Sequence, residues 1–357
     1  MVCVVIMAGG RGERFWPKSR TARPKQFTDI TGTGNMLFLT YKRVARLVSP
    51  EHIFVVTGTD YRDATLKSLP ELPTDNIIIE PEGRNTAPCI GLAAVVLEKR
   101  YPGSMMVIVP ADHYILDEEK FIDDLREATS LALGTSGLVT IGIRPSRPET
   151  GYGYLQTGQE VLTASNKAAL KVTRFVEKPN YDLAVKLLAK GNYLWNAGIF
   201  VWTTTVILNA FEKYLPEMYQ GLIEIKDRLA DSDCAEVLAR VYAQFPKVSI
   251  DYGIMEKAEH VYTIPGDFVW DDVGTWKALE RVIGTDQNNN VLTGEVVTLD
   301  TKNSIIDAGQ RLVAVIGAED LIIVDTEDIT FVCNKNKLDT VRELLEELRS
   351  RNMVKYL

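Results

Sequence analysis

Gly9, Gly10 and Gly12 follow a short apolar run, Val2-Cys3-Val4-Val5-Ile6-Met7, and stand among Arg11, Arg14, Lys18, Arg20, Arg23 and Lys25. Glycines accept positive φ and let backbone N–H groups come close to a ligand. Six cations against the single acid Glu13, in a chain of net charge −8, make this segment a place to hold phosphates. A merely solvated basic loop does not explain Phe15, Trp16 and Pro17 in its middle. A dinucleotide-binding turn needs a third glycine where Phe15 stands, and Pro17 and Pro24 interrupt any helix. No P-loop pattern occurs.

Two acidic positions lie far away in sequence. Asp112 ends the apolar run Met105–Val109 in Pro-Ala-Asp-His, and Asp271 and Asp272 sit between Trp270 and Val273. Two carboxylates arriving from distant positions suit Mg²⁺, which prefers hard oxygens and keeps several waters. The alternative is helix capping. Asp117 is better placed than Asp112 for that, whereas Asp271 or Asp272 could cap a helix after Gly274.

A third group is polar. Glu177-Lys178 ends a strand before a helix; neighbours on a strand face opposite ways, so the two share one role only if a twist or bulge intervenes. Lys178 could pair with a substrate phosphate and Glu177 accept sugar hydroxyls. Asn85 precedes a helix as a cap, or offers an amide to a base edge. Gly151 and Gly153 alternate with Tyr152 and Tyr154 and leave one strand face bare for a flat polar ligand. Asn196 suits sugar hydroxyls, and Asp251 is either a cap or a pocket acid.

The elements that position these residues follow from hydrophobic periodicity. Apolar runs at Val2–Met7, His52–Thr57, Asn76–Ile79, Met105–Val109 and Leu138–Ile141 alternate with helical stretches such as Thr86–Arg100 and Glu118–Leu133. That alternation predicts a parallel sheet with ligands beyond the carboxyl ends of its strands. Longer strands follow at Tyr152–Thr157, Leu170–Glu177 and Leu194–Trp202, then a mostly helical Thr203–Tyr242. Ile250–Glu256 and Val261–Ile264 are expected to return to the sheet, with a helix over Gly274–Val282. A polar boundary at Asp286–Asn290 precedes short β runs and a charged helix, Leu338–Arg349.

A chain of 357 residues with 46% apolar content buries a full core, expected as two domains, 1–285 and 286–357. A pI near 5.2 argues against broad nucleic-acid or membrane-surface binding. No run reaches the ~20 apolar residues of a membrane span, and no signal peptide is seen. Cys3, Cys89, Cys234 and Cys333 read as buried free thiols of a cytoplasmic protein, and three histidines form no zinc spacing.

Taken in order, AGGRGERFWPKSR with PKQF, RNTAP, PADH, TGYGY, FVEKP, WNAGIF, SIDYGIMEK and WDDVGTW resemble the bacterial mannose-1-phosphate guanylyltransferases, sugar-nucleotide pyrophosphorylases. The resemblance spans Ala8 to Trp276. It implies a glycosyltransferase-A-like, Rossmann-like α/β domain with a mixed central sheet, plus a small β-rich, short left-handed β-helix-like domain that builds a homodimer. It implies GMP transfer from GTP to α-D-mannose 1-phosphate with Mg²⁺, without isomerase activity.

By motif, Ala8, Gly9, Gly10 and Gly12 would line the nucleotide, Arg14 and Lys25 hold phosphates, and Asn85 read guanine. Asp112 and Asp272 would ligate the metal, Lys178 contact the sugar phosphate, and Gly153, Glu177 and Asn196 hold mannose. Glu13, Phe15 and Lys18 depart from the usual Thr, Leu and Leu, which bears on the loop's electrostatics. The alternatives are a pyrophosphorylase for another hexose 1-phosphate or NTP, and a catalytically silent sugar-nucleotide sensor.

Overall fold

The computed structural model describes all residues except Arg11, Ala164 and Asn166, so one of the six cations, Arg11, lies outside the described residues. The chain forms two compact units, neither continuous in sequence. One comprises Met1–Gly9, Thr40–Ala111 and Ile115–Val269; the other comprises Gly10–Leu39, Asp112–Tyr114 and Trp270–Leu357.

The first unit is built on nine strands: β1 (Val2–Met7), β2 (Ile53–Gly58), β3 (Ile77–Glu80), β4 (Met105–Pro110), β5 (Leu138–Ile143), β6 (Tyr154–Leu162), β7 (Ala168–Val176), β8 (Tyr193–Thr203) and β9 (Val261–Pro265). Their order is β3-β2-β1-β4-β8-β5-β9-β7-β6. The first four pair in parallel, as their continuous apolar runs require of strands covered on both faces. The sheet then becomes mixed, because β8 inserts antiparallel between β4 and β5. Phe54, Trp202, Phe211 and Tyr242 belong to its buried core.

Three local expectations change. Asp251–Met255 is a π-helical turn rather than sheet, with Glu256 N–H donating to the Asp251 carbonyl at 2.9 Å. Asp117 stands at the start of helix Glu118–Thr135, yet its φ of 57° turns its side chain away from capping. Only Cys3 and Cys89 are buried; Cys234 and Cys333 are partly exposed, and all four are free.

In the second unit, strands Val291–Thr293, Ile305–Asp307 and Leu321–Asp325 stack in parallel, with Val291, Ile305 and Ile322 in register and buried. Strands Val296–Leu299 and Val313–Ile316 form a second parallel pair. This is the β-rich domain, a coil of short strands closed by the antiparallel Thr330–Asn334. The aromatic residues of the opening segment belong to this core. Phe15 lies 5.2 Å from Trp276 and Trp16 lies 5.4 Å from Phe331, ring to ring. Trp16 Nε1 donates to the Tyr356 carbonyl at 2.7 Å. Helix Val341–Ser350 adds Val341 and Leu345 at i and i+4. The apolar residues inside a cationic loop are therefore its anchor.

Candidate active site

The second unit carries an open pocket of about 510 Å³ lined by Gly12, Glu13, Arg14, Phe15, Lys25, Asp112, His113, Asp272, Gly274 and Arg342. At its centre is Lys25, 5% exposed. Lys25 Nζ donates to the Asp112 carboxylate at 2.8 Å, the Asp112 carbonyl at 3.0 Å and the Asp272 carbonyl at 2.7 Å. A compact ammonium has three donors, and three oxygens meet them here. One lysine thus ties together the two acids that are 160 positions apart in sequence. Burial opposes ionisation of the Asp112 carboxyl, but Lys25 and then His113 hold it below the usual carboxylate range.

Gly12 makes this geometry possible. Its φ is +63°, and a Cβ there would stand 2.5 Å from Lys25 Cβ and 2.8 Å from Lys25 N. The loop can wrap the lysine only because that position has no side chain.

Asp271 and Asp272 separate cleanly. Asp271 is buried, accepts the Val273 N–H at 2.8 Å and is gripped by Arg281 at 2.6 and 3.1 Å. Asp272 lines the pocket, and its Oδ1 accepts the Gly274 N–H at 3.1 Å. Between them and Gly274, Val273 is fully buried at φ 47°, a rare backbone for a β-branched residue. That strain goes with the two neighbouring acids pointing in different directions. Gly274 leaves room for the carboxylate, since a Cβ would meet Asp272 Oδ2 at 2.7 Å.

Three of the five described cations of the opening segment are committed elsewhere. Lys18 pairs with the buried Asp307 at 2.6 Å, and Arg20 forks onto Asp328. Arg23 donates to the Phe27 carbonyl at 3.3 Å. Lys18 clamps the segment to a strand of the β-rich domain and Arg20 to the turn before its last strand, which periodicity could not reveal. Arg14 is exposed and lines the pocket.

The first unit holds a second polar cluster. Asn196 is buried on β8; its amide donates to Asp251 at 2.9 Å and its carbonyl accepts from Thr140 Oγ1 at 2.8 Å. Burial, and then the Glu177 charge, push the Asp251 carboxyl up to about 7. Glu177 and Lys178 pair with each other because β7 has ended at Val176 and Lys178 turns at φ 46°, so strand alternation no longer separates them. Glu177 Oε2 lies 2.5 Å from where a Cβ on Gly153 would stand, so that glycine is required for the carboxylate to reach over the strand. Asp251, left open by the sequence, belongs to this cluster.

Asn85 caps helix Thr86–Arg100, accepting the Thr86 N–H at 2.8 Å, with φ 73° and ψ −175°, a backbone region almost confined to glycine. Ala8 is buried, and its N–H donates to the Val56 carbonyl at 2.8 Å while its carbonyl accepts from Thr57. Gly9 and Gly10 are exposed. Sequence periodicity ends the third strand at Ile79 and so misses Glu80. That residue is 4% exposed and accepts from Tyr242, and one of its oxygens lies 2.9 Å from a Cβ on Gly9. Burial pushes its carboxyl up to about 7, against the hydrogen bonds from Tyr242 and Cys89.

Asp112 and Asp272 line one pocket, and carboxylate oxygens are the donor type that a hard divalent ion takes. Among the described residues there is no cluster of three or more His, Cys, Asp or Glu that would hold a metal. Two carboxylates in an open pocket are what Mg²⁺ uses when phosphates and water complete its shell.

The family model "Nucleotidyl transferase" matches residues 3–289, a span that includes the mixed α/β sheet, the glycine segment, Asp112 and Asp272. A second, "MannoseP isomerase/GMP-like beta-helix domain", matches residues 294–348. The chain belongs to the mannose-1-phosphate guanylyltransferase family of nucleotidyl transferases. It is 36% identical to the mannose-1-phosphate guanylyltransferase of Salmonella montevideo over 99% of this chain and 75% of that one. It is 37% identical to that of Klebsiella pneumoniae over 100% of this chain and 76% of that one. A solved structure from Thermus thermophilus, described as a mannose-1-phosphate geranyltransferase, superposes with a TM-score of 0.87 at 36% identity, covering 98% and 99% of the two chains. No helix among the described residues is long and apolar enough to cross a membrane.

Proposed function

We propose that this enzyme transfers GMP from GTP to α-D-mannose 1-phosphate, giving GDP-mannose and pyrophosphate. The observation that carries the reading is the Lys25 ammonium joining Asp112 and Asp272 against Gly12. The sugar phosphate oxygen attacks the α-phosphorus of GTP in line, and pyrophosphate leaves. No protein nucleophile is needed, so catalysis rests on positioning and charge neutralisation.

Two polyanions must approach. At about 5 Å and an effective dielectric near 20, each pair of unit charges opposes this by roughly 3 kcal/mol. Arg14 and Lys25 offset that repulsion on the triphosphate; Lys25 does so by exchanging carbonyl contacts for phosphate oxygens. Asp112 and Asp272 would hold Mg²⁺, which supplies Lewis-acid stabilisation of the charge building on pyrophosphate. Gly9, Gly10 and Gly12 admit the nucleotide, and Asn85 reads guanine from its strained cap. Glu177, with Gly153 and Asn196, receives the mannose hydroxyls, and Lys178 takes the sugar phosphate. The four free thiols suit a cytoplasmic address, and a homodimer is the proposed assembly.

Pyrophosphate release from each NTP and sugar 1-phosphate pair tests the assignment. GTP with mannose 1-phosphate is expected to turn over fastest. Equal or faster release with UTP or dTTP and glucose 1-phosphate would overturn it in favour of another pyrophosphorylase.

A further inference from the structure

We propose that Arg342, from the helix that closes the β-rich domain, is a polyphosphate ligand of the active site. The proposal rests on the reading of the pocket as a triphosphate site and adds a residue that no motif in the chain singles out.

Arg342 lines the same pocket as Lys25, Asp112 and Asp272. It is exposed and, among the described residues, has no ion-pair partner. The other charges there are accounted for. Lys25 is bound to Asp112 and the Asp272 carbonyl, and Glu13 is paired with Arg349 at 3.1 Å. Among the described residues, Arg14 and Arg342 remain as the cations lining the pocket without a carboxylate.

Arg342 is the second residue of helix Val341–Ser350, which continues directly from the 3₁₀ helix Lys335–Thr340. Its planar guanidinium fork suits phosphate oxygens. The helix is held at the pocket. Val341 and Leu345 are buried in the core that holds Phe15 and Trp16, and Arg349 is tied to Glu13. The β-rich domain therefore holds the phosphate segment in place and also contributes a charge to it.

The test is calorimetric titration of the full chain with inorganic pyrophosphate and, separately, with GMP. R342M, R342K and R342Q are compared with R351M, which breaks an exposed ion pair to Glu347 on the same segment. R342M and R342Q are expected to weaken pyrophosphate about tenfold, the loss of one charge-assisted contact, while GMP changes less than twofold. R342K is expected to recover part of the loss and R351M to match the wild type. If R342M lowers the melting temperature, R342K against R342Q decides the matter: lysine binding better than glutamine supports the proposal, and equal binding overturns it. Pyrophosphate affinity in R342M within twofold of the wild type also overturns it. Wild-type protein that binds pyrophosphate through Arg342 but makes no GDP-mannose would sink the transfer reading and leave this assignment standing.

Discussion

Replacing Gly12 by alanine adds one methyl group at the point where the backbone is least tolerant. At φ +63° an alanine costs roughly 1–2 kcal/mol against glycine. The new Cβ would stand 2.8 Å from Lys25 N and 3.2 Å from its Cα, both backbone atoms, so no flexible side chain can swing aside. Overpacking of that kind costs about 1–3 kcal/mol. Together they give roughly 2–5 kcal/mol. If the loop relaxes, Lys25 leaves Asp112 and Asp272, and turnover falls by about 30- to 5,000-fold. If the loop holds, the same energy appears as lost stability. Pyrophosphate release and a thermal melt on one preparation read both. G12A with turnover within threefold of the wild type and an unchanged melting temperature would refute the link between this glycine and the lysine.

Two further outcomes are expected. Asp112→Asn keeps the shape but removes the charge held by Lys25, so pyrophosphate release should fall by about 100-fold or more with circular dichroism unchanged; a fully active D112N enzyme removes the acid from the mechanism. Glu80 has a folded value raised from 4.5 to about 7, so between those pH values the native state keeps a proton that the unfolded chain releases. Stability from this group is full below pH 4.5 and falls as pH rises through 7, by about 3 kcal/mol, and Glu80→Gln should flatten urea midpoints across that window; equal slopes in both proteins would contradict it.

The first four strands, the acid after β4 and the glycine segment are readable from the chain because buried parallel strands are continuous apolar runs. Insertion of β8 between β4 and β5 is not, since strand order leaves no mark on local periodicity. Nor can the cations of the opening segment be sorted from sequence. Lys18 and Arg20 differ from Lys25 only in which carboxylates the fold brings to them, Asp307 and Asp328 against Asp112. Asp271 and Asp272 are indistinguishable as neighbours until the fold, with its left-handed Val273, turns one towards Arg281 and the other towards the pocket. Glu80 escapes notice because a carboxylate buried against a tyrosine breaks the composition rule for strand ends. The chemistry is read from the motif resemblance, and packing alone reveals that the β-rich domain anchors the opening cationic segment.

The most direct test is a crystal structure with GTP, mannose 1-phosphate and Mg²⁺ held under conditions that block turnover. The expected result is metal density in contact with carboxylate oxygens of both Asp112 and Asp272, with Lys25 Nζ on a phosphate oxygen. A well-ordered triphosphate whose metal touches neither acid, or a Lys25 still bound only to protein, would contradict it.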